Sequence, residues 1–242
     1  MSVRDKPEIR ERVWTLLTER RAARFPLPLH DRIPNFAGAE LAARTLAATP
    51  EWKAAKRLKC NPDAPQRAVR LQALREGKLV FMAVPRLRDA RCFLRLDPTK
   101  LGGKLAEAAT ISGAATRGEP VEPASLGTID LIVVGSVAVS PDGARVGKGG
   151  GYSDLEFALA RELHAVDEDT PVVTTVHELQ IDDEPLPMTD HDVPLDLIVT
   201  PERVIRTRRA LPKPKGILWA ELSDAQLDAM PVLALMRRRQ RR

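Results

Sequence analysis

The residues best suited to chemistry lie in one short run, RVGKGGGYSD, at positions 145–154. Gly147, Gly149, Gly150 and Gly151 permit positive φ angles and close backbone approach, and the N–H groups they free form a concave anion site. A helix opening just behind them adds the positive end of its dipole. Arg145 and Lys148 supply charge without filling the cradle. Asp154 falls at the helix start, where a carboxylate is stabilised or can hold Mg²⁺ against phosphate oxygens. The run is neither a Walker loop, which needs GK[ST], nor GxGxxG. A phosphate site is the functional reading and a structural turn is the alternative.

Other candidates are weaker taken singly. Lys6 and Arg10 stand at i, i+4 and share one helix face, a pattern that ordinarily marks a solvated surface. HDVPLD at 191–196 leads into an apolar stretch; Asp192 reads as a loop residue and Asp196 as a charge at a strand start. His177-Glu178 lacks a second histidine at i+4, and DDEP at 182–185 reads as an exposed turn, so neither suggests a metal site. Cys60 and Cys92 have no CxxC spacing, which excludes a disulfide framework and a zinc signature. No nucleophile elbow is present. Tyr152 and Trp14 suit packing better than catalysis.

These residues need a frame. Residues 5–24 carry helix marks: Asp5 as a cap, Pro7 in the first turn, and Ile9, Val13, Leu16 and Leu17 at helical spacing. A second helix is expected over 38–48, with the loop PLPLHDRIPNF between them. Short apolar strands then alternate with helices. A strand ends at Lys59 and Cys60, a helix covers 66–76, and strands cover 79–84 and 91–96. Residues 97–127 read as irregular, 129–139 give the strongest strand signal, and a helix runs from about Asp154 to His164. Strands over 171–176 and 195–200 complete the pattern, which predicts an α/β fold with an open, mostly parallel α/β/α sheet. In such sheets ligands bind at the carboxyl ends of the strands.

The 242 residues carry 38 Lys and Arg against 33 Asp and Glu, and the sequence pI is near 9.5. That balance alone would point to an acidic partner such as nucleic acid. However, residues 201–242 hold 11 Lys and Arg against 4 Asp and Glu, so the rest of the chain is slightly acidic. The run 237–242, with Arg203, Arg206, Arg208, Arg209, Lys213 and Lys215, is the part suited to nucleic acid, and a solvated tail is the plainer reading. Aromatics at 4% argue against a base-stacking single-strand platform. No apolar stretch reaches the roughly 18 residues of a membrane span, and no signal core opens the chain, so a soluble, cytoplasmic protein is expected. The expected organisation is one α/β domain over 1–205 and a basic extension over 206–242, partly helical or disordered.

GKGGGYSDLE at 147–156, HDVPLDLIVTPERVI at 191–205 and the Lys6/Arg10 pair together resemble the 5-formyltetrahydrofolate cyclo-ligase family. The resemblance is nearest to its methenyltetrahydrofolate synthetase domain-containing branch. It runs from Lys6 to about Ile205 and is strongest over 129–154. It implies a NagB/RpiA/CoA-transferase-like sheet and an ATP- and Mg²⁺-dependent enzyme that closes 5-formyltetrahydrofolate to 5,10-methenyltetrahydrofolate through a phosphorylated formyl group. Such an enzyme mainly positions groups and neutralises charge.

By motif, Lys6, Arg10, Arg145, Gly147, Lys148, Gly149, Gly150, Gly151 and Tyr152 would hold ATP. Arg145 and Lys148 would act on the transferring phosphoryl group, Asp154 and Asp192 would bind Mg²⁺, and Asp63 and Tyr152 would contact the folate. Two positions depart from the family. Ser153 stands where the family has the second ring of Tyr-Tyr-Asp, and Asp63 aligns near its pterin-contacting glutamate. An ATP-dependent relative with a different acceptor, or a non-catalytic nucleotide- or RNA-binding protein on the same fold, are the other readings.

Overall fold

The computed structural model describes residues 4–84 and 87–240, residues 239 and 240 by backbone alone. Helix α1 (Lys6–Glu19) is capped by Asp5, which accepts the Glu8 N–H at 2.8 Å. It ends five residues before the apolar spacing suggests, because Arg21 takes a φ of +55° through which no right-handed helix continues. The chain forms instead an antiparallel ribbon, β1 (Ala23–Arg24) with β2 (Asn35–Phe36), around the proline-rich loop. Next come α2 (Ala39–Ala47), α3 (Pro50–Ala54), β3 (Arg57–Cys60), α4 (Arg67–Arg75), β4 (Leu79–Ala83) and β5 (Phe93–Leu96).

Residues 97–127 are more ordered than their weak periodicity predicts: they hold α5 (Leu105–Ala108), α6 (Ile111–Arg117) and β6 (Glu119–Val121). Thr110 caps α6 by accepting the Gly113 N–H, and the small residues Ala108, Ala109 and Ala114 are fully buried. Helices this short show no amphipathic period. The apolar run 129–139 breaks at Gly135, so β7 (Leu131–Val134) stays in the sheet while β8 (Ala138–Val139) leaves it to pair with β9 (Arg145–Val146). Helix α7 (Tyr152–Glu162), β10 (Val172–Thr175), β11 (Leu197–Val199), β12 (Val204–Arg206), α8 (Asp224–Ala229) and α9 (Pro231–Gln240) complete the chain.

Eight strands form one sheet in the order β12-β11-β10-β7-β3-β4-β5-β6. The five from β11 to β4 are parallel and the edges antiparallel. Side chains alternate between two cores, as strand pleating requires. Phe81, Ile132, Val134, Val172 and Ile198 face one core, with Phe157 and Leu159 of α7. Leu58, Val80, Met82, Leu131, Val133 and Val173 face the other, with Leu46 of α2 and Val69 of α4. The parallel strand order reverses between β3 and β7, which opens a crevice at their carboxyl ends.

The segment after residue 205 packs on this body. Lys213 is buried and its Nζ donates to the carbonyls of Glu168 (2.9 Å) and Thr170 (2.6 Å), while Ile217, Leu227, Met230, Val232, Leu233 and Met236 join the first core. Arg237 and Arg238 are exposed on α9, and the basic run beyond them lies outside the described side chains. Among the described residues no helix is long and apolar enough to cross a membrane.

Candidate active site at the glycine loop

A cleft of about 430 Å³ occupies the reversal in strand order. Asn61 and Asp63 reach it from the end of β3, Gly135 from the end of β7, Arg145 from β9, and residues 147–154 form its rim. Two backbone positions explain the glycines. Gly149 has φ +104°, and Gly151, at φ +66°, is the cap residue that turns the chain into α7. The helix therefore starts at Tyr152, two residues earlier than Asp154 suggested, and Asp154 sits within its first turn. Leu155 donates the first bond back, to the Gly151 carbonyl at 3.1 Å. The N–H groups of Tyr152, Ser153 and Asp154 thus project from the helix end that lines the cleft. Gly135 admits no side chain, since a Cβ there would come within 2.7 Å of an Asp63 carboxylate oxygen.

The charges are tied in pairs. Arg145, 4% exposed, donates from Nη1 to the Gly135 carbonyl (3.0 Å) and from Nη2 to Asp154 Oδ1 (2.5 Å). Burial works against its charge, but the carboxylates of Asp154, Asp192 and Asp63 together outweigh it, so its pKa is raised. Asp154 Oδ1 also accepts the Val193 N–H at 3.1 Å, which joins the 191–196 loop to α7. Asp192 Oδ2 accepts from Lys6 Nζ (2.5 Å), the Thr189 N–H (2.7 Å) and Thr189 Oγ1 (2.8 Å). Burial pushes the Asp192 carboxyl up, but Lys6 and Thr189 outweigh it and hold the group below the usual carboxylate range. Lys148 Nζ lies 3.6 Å from Asp63 Oδ1, and Arg10 Nε donates to the Gly147 carbonyl at 2.7 Å.

Arg145, Gly147, Lys148, Gly149, Gly150, Gly151, Tyr152, Asp154 and Asp63 thus share one cleft. Lys6, Arg10 and Asp192 stand outside its lining and touch it from behind: Arg10 at Gly147, Lys6 through Asp192, whose neighbour Val193 bonds Asp154.

Sequence reasoning missed a second tier. Lys59 and Glu156 form a buried ion pair beneath the loop; Lys59 Nζ also donates to Asn61 Oδ1 (2.7 Å), and Asn61 Nδ2 donates to Ser153 Oγ (3.1 Å). The available signal was a lysine inside a buried strand and a glutamate on the apolar face of a helix. Ile111 of α6 also reaches the cleft, from the segment read as irregular.

The donor set suits a polyphosphate: a glycine cradle, a helix end, Arg145 and Lys148 in the lining, and Lys6 and Arg10 behind it. No group of three or more His, Cys, Asp or Glu side chains that could cage a metal occurs among the described residues. Asp154 Oδ2 and Asp192 Oδ1 accept no hydrogen bond among the described residues. Mg²⁺ is ordinarily held by one or two carboxylates together with substrate phosphates, and Asp154 is the one of this pair that lines the cleft.

Fold and site together define a class: an open α/β sheet carrying a basic glycine loop at the point where its strand order reverses. Residues 2–201 match the sequence model of the 5-formyltetrahydrofolate cyclo-ligase family, and the chain belongs to that family of enzymes. It is 44% identical over 239 residues to a mouse (Mus musculus) methenyltetrahydrofolate synthase domain-containing protein, covering 98% of this chain and 64% of that one. The Bos taurus protein of the same name is 43% identical, with 96% and 62% covered. The chain thus spans less than two thirds of the length of these relatives. Among solved structures, Aquifex aeolicus 5,10-methenyltetrahydrofolate synthetase superposes with a TM-score of 0.52 at 24% identity, over 85% of this chain and 94% of that one, and shows the same fold.

Proposed function

We propose that the cleft catalyses ATP-dependent closure of 5-formyltetrahydrofolate to 5,10-methenyltetrahydrofolate. The observation that carries this reading is the convergence of the glycine loop, Arg145, Lys148, Asp154 and Asp63 on a single cleft in a chain of this family. A formyl oxygen leaves poorly as hydroxide. It attacks the γ-phosphorus, ADP departs, N10 adds to the activated carbon and gives up its proton to water, and the oxygen leaves within phosphate. The protein's task is then positioning and charge neutralisation.

The α7 end and the glycine N–H groups hold the phosphates, with Arg10 and Lys6 behind them. Arg145, fixed by Gly135 and Asp154, supplies a preorganised cation. Lys148, 45% exposed, is free to leave Asp63 and follow the transferring charge. Mg²⁺ held by Asp154 and Asp192 would neutralise phosphate oxygens. Asp63, released by Lys148, accepts hydrogen bonds from the amino-pyrimidine edge of the acceptor, and Tyr152 packs against its ring.

MgATP is expected to raise the melting temperature, and Lys148→Ala combined with Asp154→Asn to abolish the rise. Absence of any ATP-dependent stabilisation with magnesium present overturns the nucleotide site. Incubation with MgATP and 5-formyltetrahydrofolate should then give the near-ultraviolet absorbance of the methenyl product. ATP binding without that product indicates a different acceptor, a reading favoured by Ser153 in place of a tyrosine and by Tyr152 as the one aromatic side chain lining the cleft among the described residues.

A further inference from the structure

The family match stops at residue 201, yet the chain continues back over the site. Lys213 and Ile217 anchor one end of a strap, and Leu227 and Met230 anchor the other in the same core. Between these anchors the strap crosses one face of α7, that of Asp154, Leu155 and Ala158, and encloses a pocket of about 110 Å³. Its walls are apolar, with Leu155 and Ala158 on the helix and Leu218 and Leu222 on the strap. Its rim is polar. Glu221 Oε2 lies 2.7 Å from His191 Nδ1, and Gln226 uses its Oε1 to accept from Ser223 N and Oγ (3.0 Å each). The Gln226 Nε2 donor has no partner among the described residues. Gly151 and Asp154 line both this pocket and the cleft.

We propose that the strap-walled pocket receives the purine base of the nucleotide whose phosphates lie on the glycine loop. This rests on the nucleotide reading above. Gly151 and Asp154 line both spaces, so the two lie side by side, and a ligand whose phosphates rest on the loop would reach the pocket across that edge. The small pocket suits a single flat ring system, whereas a folate, with its pterin, benzoyl and glutamyl parts, needs the larger cleft. Apolar walls cover the faces of a base. At the rim, the Glu221 carboxylate accepts from an exocyclic amino group, and Gln226 Nε2 donates to a ring nitrogen. Base selectivity then comes from a segment outside the matched family region.

The test compares ATP with inorganic tripolyphosphate, both with magnesium, by calorimetry on the full chain. The native protein is expected to bind ATP at least about tenfold more tightly. Leu222→Trp, which fills the pocket, and Glu221→Ala, at an exposed position, should each bring the two ligands toward parity while leaving tripolyphosphate affinity unchanged. Melting temperatures of the free variants establish that both fold. If the native protein binds neither ligand, the nucleotide reading itself fails. If it binds ATP and both variants keep the full preference over tripolyphosphate, the base pocket is overturned and the nucleotide reading stands.

Discussion

Replacing Lys59 by methionine isolates the pair that supports the glycine loop from below. The Lys59 and Glu156 side chains are 2% and 6% exposed, with Lys59 on a strand face otherwise given to residues such as Phe81 and Ile132 and Glu156 on α7 opposite it. Removing one partner of a buried pair costs about 3–5 kcal/mol, whereas replacing both with apolar groups of similar size is close to neutral or stabilising. Burial already pushes the Glu156 carboxyl up, against the pull of Lys59. Without Lys59 the native state holds a proton there more firmly than the unfolded chain, whose glutamate titrates near about 4.3. A folded pKa above the unfolded one gives stability that is full below the unfolded value and falls as pH rises through the folded value. The deficit of Lys59→Met relative to the native protein should therefore be small near about pH 4 and widen toward about pH 8. Urea denaturation followed by circular dichroism measures it, with Lys59→Met/Glu156→Met as the companion expected to recover most of the loss. A deficit flat with pH, or a double variant as unstable as the two single losses summed, refutes this account of the pair.

Two further perturbations probe the site itself. Gly149→Ala should cost about 1–3 kcal/mol in urea denaturation, because its φ of +104° strains an alanine, and should also erase the thermal shift with MgATP. Gly77→Ala, at φ +76° with open space around it, should lose stability and keep the shift. In Lys6→Met the loss should appear at neutral pH and vanish in acid. Asp192 is held below its usual range, so its contribution is present above the unfolded value near about 3.9 and disappears as pH falls through the lower folded one. Acid titration of both proteins by circular dichroism checks this.

The local parts of the site were legible. Glycines, basic residues and a helix start within one window specify a cradle whatever surrounds it, and the alternation of strands and helices specifies the sheet. What needed the structure is long-range. Lys6 and Asp192 are 186 positions apart and meet only because α1 packs beside the 191–196 loop. Lys59 reads as an ordinary strand residue until α7 sets Glu156 against it. Gly135 looks like part of an unbroken apolar strand, and only the crowding of its Cβ position by Asp63 and Ile33 shows why a glycine stands there. The short helices of 97–127 were hidden because four to seven residues carry too little periodicity, and their burial rests on small alanines.

Arg145–Asp154, Lys6–Asp192 and Lys148–Asp63 are each a cation already matched to a carboxylate. The cradle therefore supplies its own counterions. A lone small anion must compete with an acidic neighbour at each of these three, while Arg10 bonds a carbonyl, that of Gly147, instead. On the proposed reading, a polyphosphate chelated to a divalent ion would meet less of this competition, since Asp154 and Asp192 would hold the metal, Asp63 would turn to the acceptor, and the released cations would face the phosphates. The exchange would trade three internal contacts for matched external ones. On the proposed reading, free phosphate should therefore compete poorly with the chelate.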